Sequence, residues 1–197
     1  MRPLDQYISR LEDSLRELAN ISGRIVEDVV RSRAPPERVR EGVDEVRRRR
    51  LEIHNRIIEI IARFQPTASD LRGLIAALEI SYGLYRFARY ALDISTIITT
   101  LLTPSGEKCD LRGSSEASGY VIEMVRGSIE AYLKRDKTMA RRVVEMDRSV
   151  DQRLLTLLSE ASRSIDLCST LDLLIMMYLE RIADHSVYIA QETIDMI

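Results

Sequence analysis

The chain has 197 residues, of which 45% are hydrophobic and 30% are charged, and its formal net charge is −2. This apolar content and small net charge exclude an intrinsically disordered chain, because enough apolar surface is available to bury a core. They also exclude an acidic tail protein and a nucleic-acid binder that is basic along its whole length. The basic residues are nonetheless unusual, since all but three of the 29 are arginine. Such a composition is typical of thermophilic proteins and of GC-rich genomes alike.

Apolar residues recur at helical spacing from the start of the chain. The first stripe follows a 4-3-4-3 spacing over residues 4–29, which places it on one helix face. Pro35 and Pro36 end this helix and open the second, because proline is tolerated in a first helical turn. The second helix stops before Pro66, since the residue that precedes a proline is pushed out of the α region. Thr67 is placed to cap the third helix. The stripe of that third helix is predicted to be Leu71, Leu74, Ile75, Leu78, Tyr82 and Tyr85.

The second half of the chain is also helical by its pattern. The segment 103–114 concentrates turn residues and is predicted to be a linker. Three further helices are expected near residues 115–134, 137–162 and 165–195. No segment alternates apolar and polar residues as a strand does, so the fold class is predicted to be all-α.

The two halves of the chain resemble one another, which indicates an internal repeat. Four positions of the first half recur at an offset of 95 residues and four others at an offset of 104 residues. Because both sets follow the same helix order, we predict two tandem three-helix repeats, residues 1–102 and 115–197, joined by the linker 103–114. A three-helix unit of this size buries little core alone, so the repeats are expected to pack as one six-helix bundle.

The cysteines and the apolar stretches bear on location. Cys109 and Cys168 form neither a disulfide framework nor a metal-ligand spacing, so we expect two reduced thiols in an intracellular protein. The N-terminal residues lack an apolar signal core, and charged residues interrupt the most apolar stretch, residues 74–102. Neither a secretion signal nor a membrane-spanning helix is expected, and the chain is predicted to be cytoplasmic.

Two pairs of carboxylates on the last two helices form the first candidate site. Asp147 and Asp151 are four residues apart on the fifth helix, as are Glu180 and Asp184 on the sixth, so each pair lies on one helix face. Like charges at this spacing destabilise a helix by about 0.2–0.5 kcal/mol. If the helices face each other, the four carboxylates form an all-oxygen site for iron, manganese, magnesium or calcium. Alternatively, they are solvated and neutralised by arginines of the same helices.

The sequence lacks the patterns of the enzymes that such a bundle suggests. Redox di-metal bundles carry a Glu-x-x-His on each of two helices, and neither His54 nor His185 has a glutamate three residues before it. There is no Gly-x-Ser-x-Gly elbow and no glycine loop for phosphate. We therefore predict no enzyme and no catalytic residue. A structural helical adaptor without metal stays open as the alternative, and a carboxylate-bridged metalloenzyme is disfavoured.

Arginines at apolar positions are a second candidate feature. Four consecutive arginines at residues 47–50 sweep about 300° of a helix, so at least one points towards the apolar stripe. Arg50 and Arg89 both fall where the apolar spacing expects a core residue. Two interpretations stay open: a solvated basic face with buried side-chain stems, or an inward cationic cluster that pairs with carboxylates or an anion.

Two motifs resemble those of the PhoU family of phosphate-signalling regulators. The octapeptide Gln65-Pro-Thr-Ala-Ser-Asp-Leu-Arg72 looks like the family signature, and Leu179-Glu-Arg-Ile-Ala-Asp-His-Ser-Val-Tyr-Ile-Ala190 is similar to its second-repeat motif. The resemblance implies a cytoplasmic, non-enzymatic regulator of phosphate homeostasis. Its implied partners are the ATPase subunit of a phosphate ABC transporter and, in bacteria, a sensor kinase. Nucleic acid is not an expected partner, the membrane is reached only through the transporter, and a homodimer is left open.

The resemblance also implies a metal site in one repeat only. The family's second-repeat ligands carry over to Asp147, Asp151, Glu180 and Asp184. The implied cofactor is a metal ion, with iron first and zinc, manganese and magnesium as alternatives. In the first repeat, the family's acidic positions are occupied by residues that offer a metal ion no carboxylate, so no metal site is expected there. Those residues are Val43, Arg47, Arg50, Tyr85 and Arg89.

Overall fold

The computed structural model describes residues 3–106, 108–161 and 166–196. Within these residues it contains six long helices and no strand, and two tandem three-helix units pack as one bundle, which confirms the predicted class and architecture. The helices are α1 Pro3–Ser32, α2 Pro36–Phe64, α3 Ala68–Ile97, α4 Arg112–Lys134, α5 Lys137–Ala161 and α6 Leu167–Met196. The exact repeat boundaries stay a prediction.

Local chemistry accounts for where the helices begin and end. Pro36 occupies the first turn of α2, and Gln65 ends that helix in the left-handed conformation, with φ 46°. Thr67 precedes α3 as predicted, but its side chain makes no capping hydrogen bond. Asp136 opens α5, where its carboxylate accepts hydrogen bonds from the backbone N–H groups of the first turn.

The predicted linker is helical at both ends. The helix α3 continues as a π-helical turn, Ile98–Leu102, and then as a short helix, Thr103–Ser105. It ends at Gly106, whose φ of +65° is a conformation that glycine adopts without steric cost. At the other end, α4 begins at Arg112, three residues before the predicted start of the fourth helix.

The two central helices, α3 and α6, join the halves of the bundle. The helices α1, α2 and α3 pack against one another, as do α4, α5 and α6, and the halves meet where α3 contacts α6 and α1 contacts α4. A Cβ atom at Gly83 of α3 would lie 2.9 Å from Cγ1 of Ile189 on α6, so glycine allows this close approach. In the described part of the chain, no helix is long and apolar enough to cross a membrane.

The apolar stripe of α1 was predicted correctly, whereas that of α3 was predicted only in part. The stripe residues of α1 are buried or half-buried, as are three of the six residues predicted for α3. On α3, by contrast, Leu71 and Ile75 are 37% and 45% exposed, while Ala77 and Ser81 are buried. The physical reason is that α3 packs between α1, α2 and α6, and small residues are required where helices approach closely.

The prediction of two reduced cysteines was wrong, because Cys109 and Cys168 form a disulfide. The two residues are 59 positions apart in sequence, yet their Cα atoms lie 5.1 Å apart, within the range that a disulfide spans. Tertiary packing brings them together: the linker passes the N-terminal end of α6, where Asp172 accepts hydrogen bonds from Gly113 and Ser114 in the first turn of α4. Cysteine usage therefore no longer supports an intracellular location.

Candidate functional site

The four predicted carboxylates lie where α5 packs against α6 and are close enough to influence one another electrostatically. Asp147, Glu180 and Asp184 are half-buried, whereas Asp151 is exposed. Asp147 is affected by the charges of Asp151 and Asp184, and Glu180 by those of the other three. The packing of α5 against α6 thus gathers two pairs that the sequence separates by about 30 residues.

Burial and mutual repulsion both disfavour ionisation of these carboxyl groups. Burial, with the charges of Asp151 and Asp184, raises the pKa of Asp147 to about 6. Burial and the charge of Asp184 also raise the pKa of Glu180, while the pKa of Asp184 is raised by burial against the opposing effect of Arg181. The cluster therefore stabilises any positive charge that enters it, whether a proton or a metal ion.

The donor chemistry of the cluster suits a metal ion, although the side chains do not converge into a finished coordination shell. The Oδ1 atom of Asp147 is buried and accepts no hydrogen bond, which leaves one strong oxygen donor unused. Among the residues that the structure describes, however, no group of three or more His, Cys, Asp or Glu side chains is arranged to hold a metal ion. The carboxylates thus fit a metal by type and charge, without a preformed geometry.

The alternative, neutralisation by neighbouring arginines, holds for one of the three arginines nearby in sequence. An Nη1–H of Arg181 donates to Asp184 at 3.3 Å, and its Nε lies 3.6 Å from a carboxylate oxygen of Glu180. Arg153 instead pairs with Glu116 on α4, and Arg148 is exposed. Half of the carboxylate cluster therefore has a basic partner on its own helix.

The arginine run of α2 divides between solvent and the bundle interior. Arg47 is exposed, and Arg48 and Arg49 form ion pairs with glutamates at the surface, as a solvated basic face requires. Arg50 instead turns inward and is half-buried, with its guanidinium carbon 5.3 Å and 5.8 Å from the ring centroids of Tyr82 and Tyr85. Both interpretations of the run are thus realised, each by different residues.

The first-repeat positions that correspond to family ligands carry no carboxylate. Val43 is buried in the core. Arg89 lies 3.7 Å from Asp93 in an i,i+4 ion pair. Arg50, Tyr85 and Arg89 thus place cationic and aromatic side chains in the first repeat where the second repeat has acidic ones. The expectation of no metal site in the first repeat stays a prediction.

Sequence reasoning missed the aromatic cluster that surrounds Arg86. The Arg86 guanidinium carbon lies 4.4 Å from the ring centroid of Tyr90, and Arg86 also donates a hydrogen bond to the Tyr90 hydroxyl. The ring of His185 on α6 contacts the rings of Tyr82 and Tyr90. The available signal was three tyrosines at positions 82, 85 and 90 of one helix, beside arginines at 86 and 89.

The ring of His185 lines one side of this cluster and is uncharged at neutral pH. Burial, and then the positive charges of Arg86 and Arg181, lower the pKa of His185 to about 4. Its Nδ1 atom is buried without a hydrogen-bond partner. On the next turn of α6, the hydroxyl of Tyr188 donates a hydrogen bond of 2.5 Å to Glu79 of α3. The hydrogen bond between Tyr188 and Glu79 therefore joins the two repeats close to Arg86.

Comparison with known proteins places these features in a family. The model of the PhoU domain matches residues 15–98 and again residues 115–193. The PhoU homolog of Clostridium acetobutylicum, a phosphate-specific transport system accessory protein, is 31% identical over 156 residues, which cover 74% of this chain and 69% of that protein. The homolog of the same name from Zymomonas mobilis is 36% identical over 152 residues, which cover 68% of this chain and 59% of that protein.

The fold comparison agrees with the sequence comparison. The crystal structure of PhoU from Pseudomonas aeruginosa matches with a TM-score of 0.89 at 23% identity, and the match covers 98% of this chain and 97% of that one. At this identity the likeness shows the fold, whereas the family match over both halves of the sequence shows descent. The chain belongs to the PhoU domain family.

Proposed function

We propose that this chain is a regulatory accessory protein of a phosphate-specific transport system. The observation that carries the proposal is the match of the PhoU domain model to both repeats. The relatives' names support it, since they are accessory proteins of phosphate-specific transport. The protein is cytoplasmic, performs no catalysis, and acts in phosphate homeostasis by contacting the ATPase subunit of a phosphate ABC transporter.

Binding to that subunit is the experiment for the partner. The ATPase subunit of the phosphate transporter from the same genome is immobilised, and binding of this chain is measured by interferometry. Saturable binding is expected, and none to the ATPase subunit of an unrelated ABC transporter. Equal binding to both subunits, or to neither, would contradict the proposal. A sensor kinase is tested in the same format.

The same regulator binds a metal ion in its second repeat. Its ligands are Asp147, Asp151, Glu180 and Asp184, with iron as the first candidate and zinc, manganese or magnesium as alternatives. The support is the raised pKa of three of these carboxyls and the unused buried oxygen of Asp147. A bound cation neutralises their repulsion and fastens α5 to α6.

Metal analysis tests this site directly. The purified protein, loaded with each metal in turn and then desalted, is expected to retain metal, and Asp147→Asn and Glu180→Gln are expected to lose it. Glu145→Gln is the matched control, because Glu145 is an exposed carboxylate on the same helix as Asp147. No retained metal in the wild-type protein, or equal retention in all variants, would contradict the proposed site.

A metal-free helical adaptor is the second candidate, because Arg181 already pairs with two of the four carboxylates. Thermal unfolding separates the two candidates. Binding at the site raises the melting temperature by mass action as metal is added. An adaptor whose carboxylates are solvated unfolds at the same temperature with and without metal.

A further inference from the structure

Two half-buried arginines of the first repeat form no ion pair within the part of the chain that the structure describes. Arg50 of α2 and Arg86 of α3 form no ion pair with any carboxylate in residues 3–106, 108–161 or 166–196. Most other arginines for which the structure gives contacts pair with a glutamate or aspartate. Guanidinium groups taken out of water without a counter-charge carry an electrostatic cost, and an anion would remove it.

Each of these arginines also has an unused hydrogen-bond donor. The Nε atoms of Arg50 and Arg86 are both buried, and neither donates a hydrogen bond in the structure. Buried polar groups are nearly always hydrogen-bonded, so each of these Nε–H groups is free to donate to an acceptor. An arginine cannot lose its proton to escape this situation.

The two arginines belong to one cluster, because they share the same tyrosines. The Arg50 guanidinium lies over the rings of Tyr82 and Tyr85. Arg86 is within electrostatic reach of the hydroxyl groups of the same two tyrosines. Tyr82 is 37% exposed, so the cluster is open to solvent on one side. Arg50 and Arg86 are themselves half-buried, so part of each side chain is in contact with solvent.

The acidic groups nearest to the cluster are already engaged. Asp93 lies 3.7 Å from Arg89 and is within electrostatic range of Arg86, with which it forms no ion pair, and Glu79 accepts a hydrogen bond from the hydroxyl of Tyr188. From α6 the ring of His185 contacts the rings of Tyr82 and Tyr90, and an imidazole carries no negative charge whether or not it is protonated. In the described residues Asp93 thus supplies one negative charge within range of both Arg86 and Arg89, and no carboxylate forms an ion pair with Arg50 or Arg86.

We propose that Arg50 and Arg86, assisted by the hydroxyls of Tyr82 and Tyr85, bind a doubly charged tetrahedral oxyanion of the phosphate class. Guanidinium groups match the oxygen spacing of such an anion and donate charge-assisted hydrogen bonds to it, and two of them balance its charge. The site takes the phosphate group as free inorganic phosphate or as a phosphate monoester. It goes beyond the proposed function, since it depends neither on metal in the second repeat nor on the transporter.

Calorimetric titration with inorganic phosphate tests the site. EDTA is present, so that phosphate cannot bind through a metal ion. The wild-type protein is expected to bind phosphate saturably, whereas sodium chloride of equal ionic strength gives no binding. Arg50→Met and Arg86→Met are each expected to weaken phosphate binding about tenfold or more. Competition by phenyl phosphate shows that the site accepts a monoester; lack of competition shows that it takes only the free ion.

The matched control is Arg48→Met, which removes one positive charge from the same helix at a surface ion pair. It is expected to leave the phosphate affinity unchanged within about twofold. Circular dichroism checks that each variant folds, and Arg50→Lys and Arg86→Lys, which keep the charge but lose the guanidinium, replace any variant that does not. Those lysine variants are expected to bind at least threefold more weakly. Wild-type binding no stronger than that of chloride, or undiminished binding in the arginine variants, would overturn the proposal.

Discussion

Breaking the disulfide between Cys109 and Cys168 is expected to destabilise the fold by about 4 kcal/mol. The bond closes a loop with a sequence separation of 59 residues. In the chain-entropy model, a loop of this length removes about 14 cal/mol/K from the unfolded chain, which is about 4 kcal/mol at 25 °C. For a chain of this size, each kcal/mol shifts the melting temperature by about 2–4 °C, so a fall of about 8–16 °C follows.

Urea and thermal unfolding of the oxidised protein, the reduced protein and the double variant Cys109→Ser, Cys168→Ser measure this loss. The reduced protein and the double variant are expected to agree, because both remove the cross-link. The double variant is also the control for effects of the reductant itself, because adding reductant should not change the stability of a protein without the disulfide. The m-value of both is expected to rise, since the unlinked chain exposes more surface on unfolding.

Two results would refute this reasoning. Thiol titration of the denatured, unreduced protein should find no free thiol, and two free thiols would show that the bond is absent in solution. If the free energies of unfolding of the oxidised and reduced proteins agree within about 1 kcal/mol, the entropy lost by closing the loop does not contribute to the stability of the fold. The first result would restore the expectation of two independent cysteines that the sequence alone favours.

Two further predictions concern a half-buried and a buried carboxylate. In metal-free protein the pKa of Asp147, raised to about 6 in the folded state, lies above its unfolded value, so this group stabilises the fold at low pH and loses that contribution as the pH rises through 6. Asp147→Asn is therefore expected to stabilise the metal-free protein at pH 7 by about 1 kcal/mol, a value that allows for the partial exposure of Asp147. The free energy of unfolding of this variant, measured with urea at each pH, should also vary less between pH 4 and 7. An unchanged pH dependence would contradict the raised pKa of Asp147. Asp172→Ala removes the carboxylate that accepts backbone hydrogen bonds from Gly113 and Ser114 at 2.9 Å and 2.8 Å. It is expected to lower the free energy of unfolding by about 1–3 kcal/mol in the same assay. No change would show that water satisfies the two N–H groups equally well.

Much of the fold could be predicted from sequence because the apolar periodicity of an amphipathic helix is contained in its own residues. The 4-3-4-3 spacing of α1 and the prolines at its end fix that helix from local chemistry. The four carboxylates of the second repeat were also predictable, since an i,i+4 spacing fixes one face and antiparallel neighbours bring two such faces together. The stripe of α3 was predicted only in part, because a helix with partners on several sides buries small residues that hydropathy does not reveal.

The remaining features depend on the register between helices, which local pattern does not contain. Cys109 meets Cys168 only because the linker passes the start of α6. Arg86 was visible in the sequence, but its neighbours on α6 were not, so the cluster with His185 emerged only from the packed bundle. The arginines began as a compositional oddity, and the structure shows that two of them are half-buried beside tyrosines and form no ion pair with a carboxylate of the described residues.

Phosphate uptake is the measurement that tests the central claim most directly. Uptake of radiolabelled phosphate is followed in phosphate-replete cells of the source organism, with the gene intact, deleted, and restored on a plasmid. A regulatory accessory protein predicts that deletion changes the uptake rate through the phosphate-specific transporter and that the restored gene returns it to the original value. An uptake rate that is the same in all three strains would contradict the account.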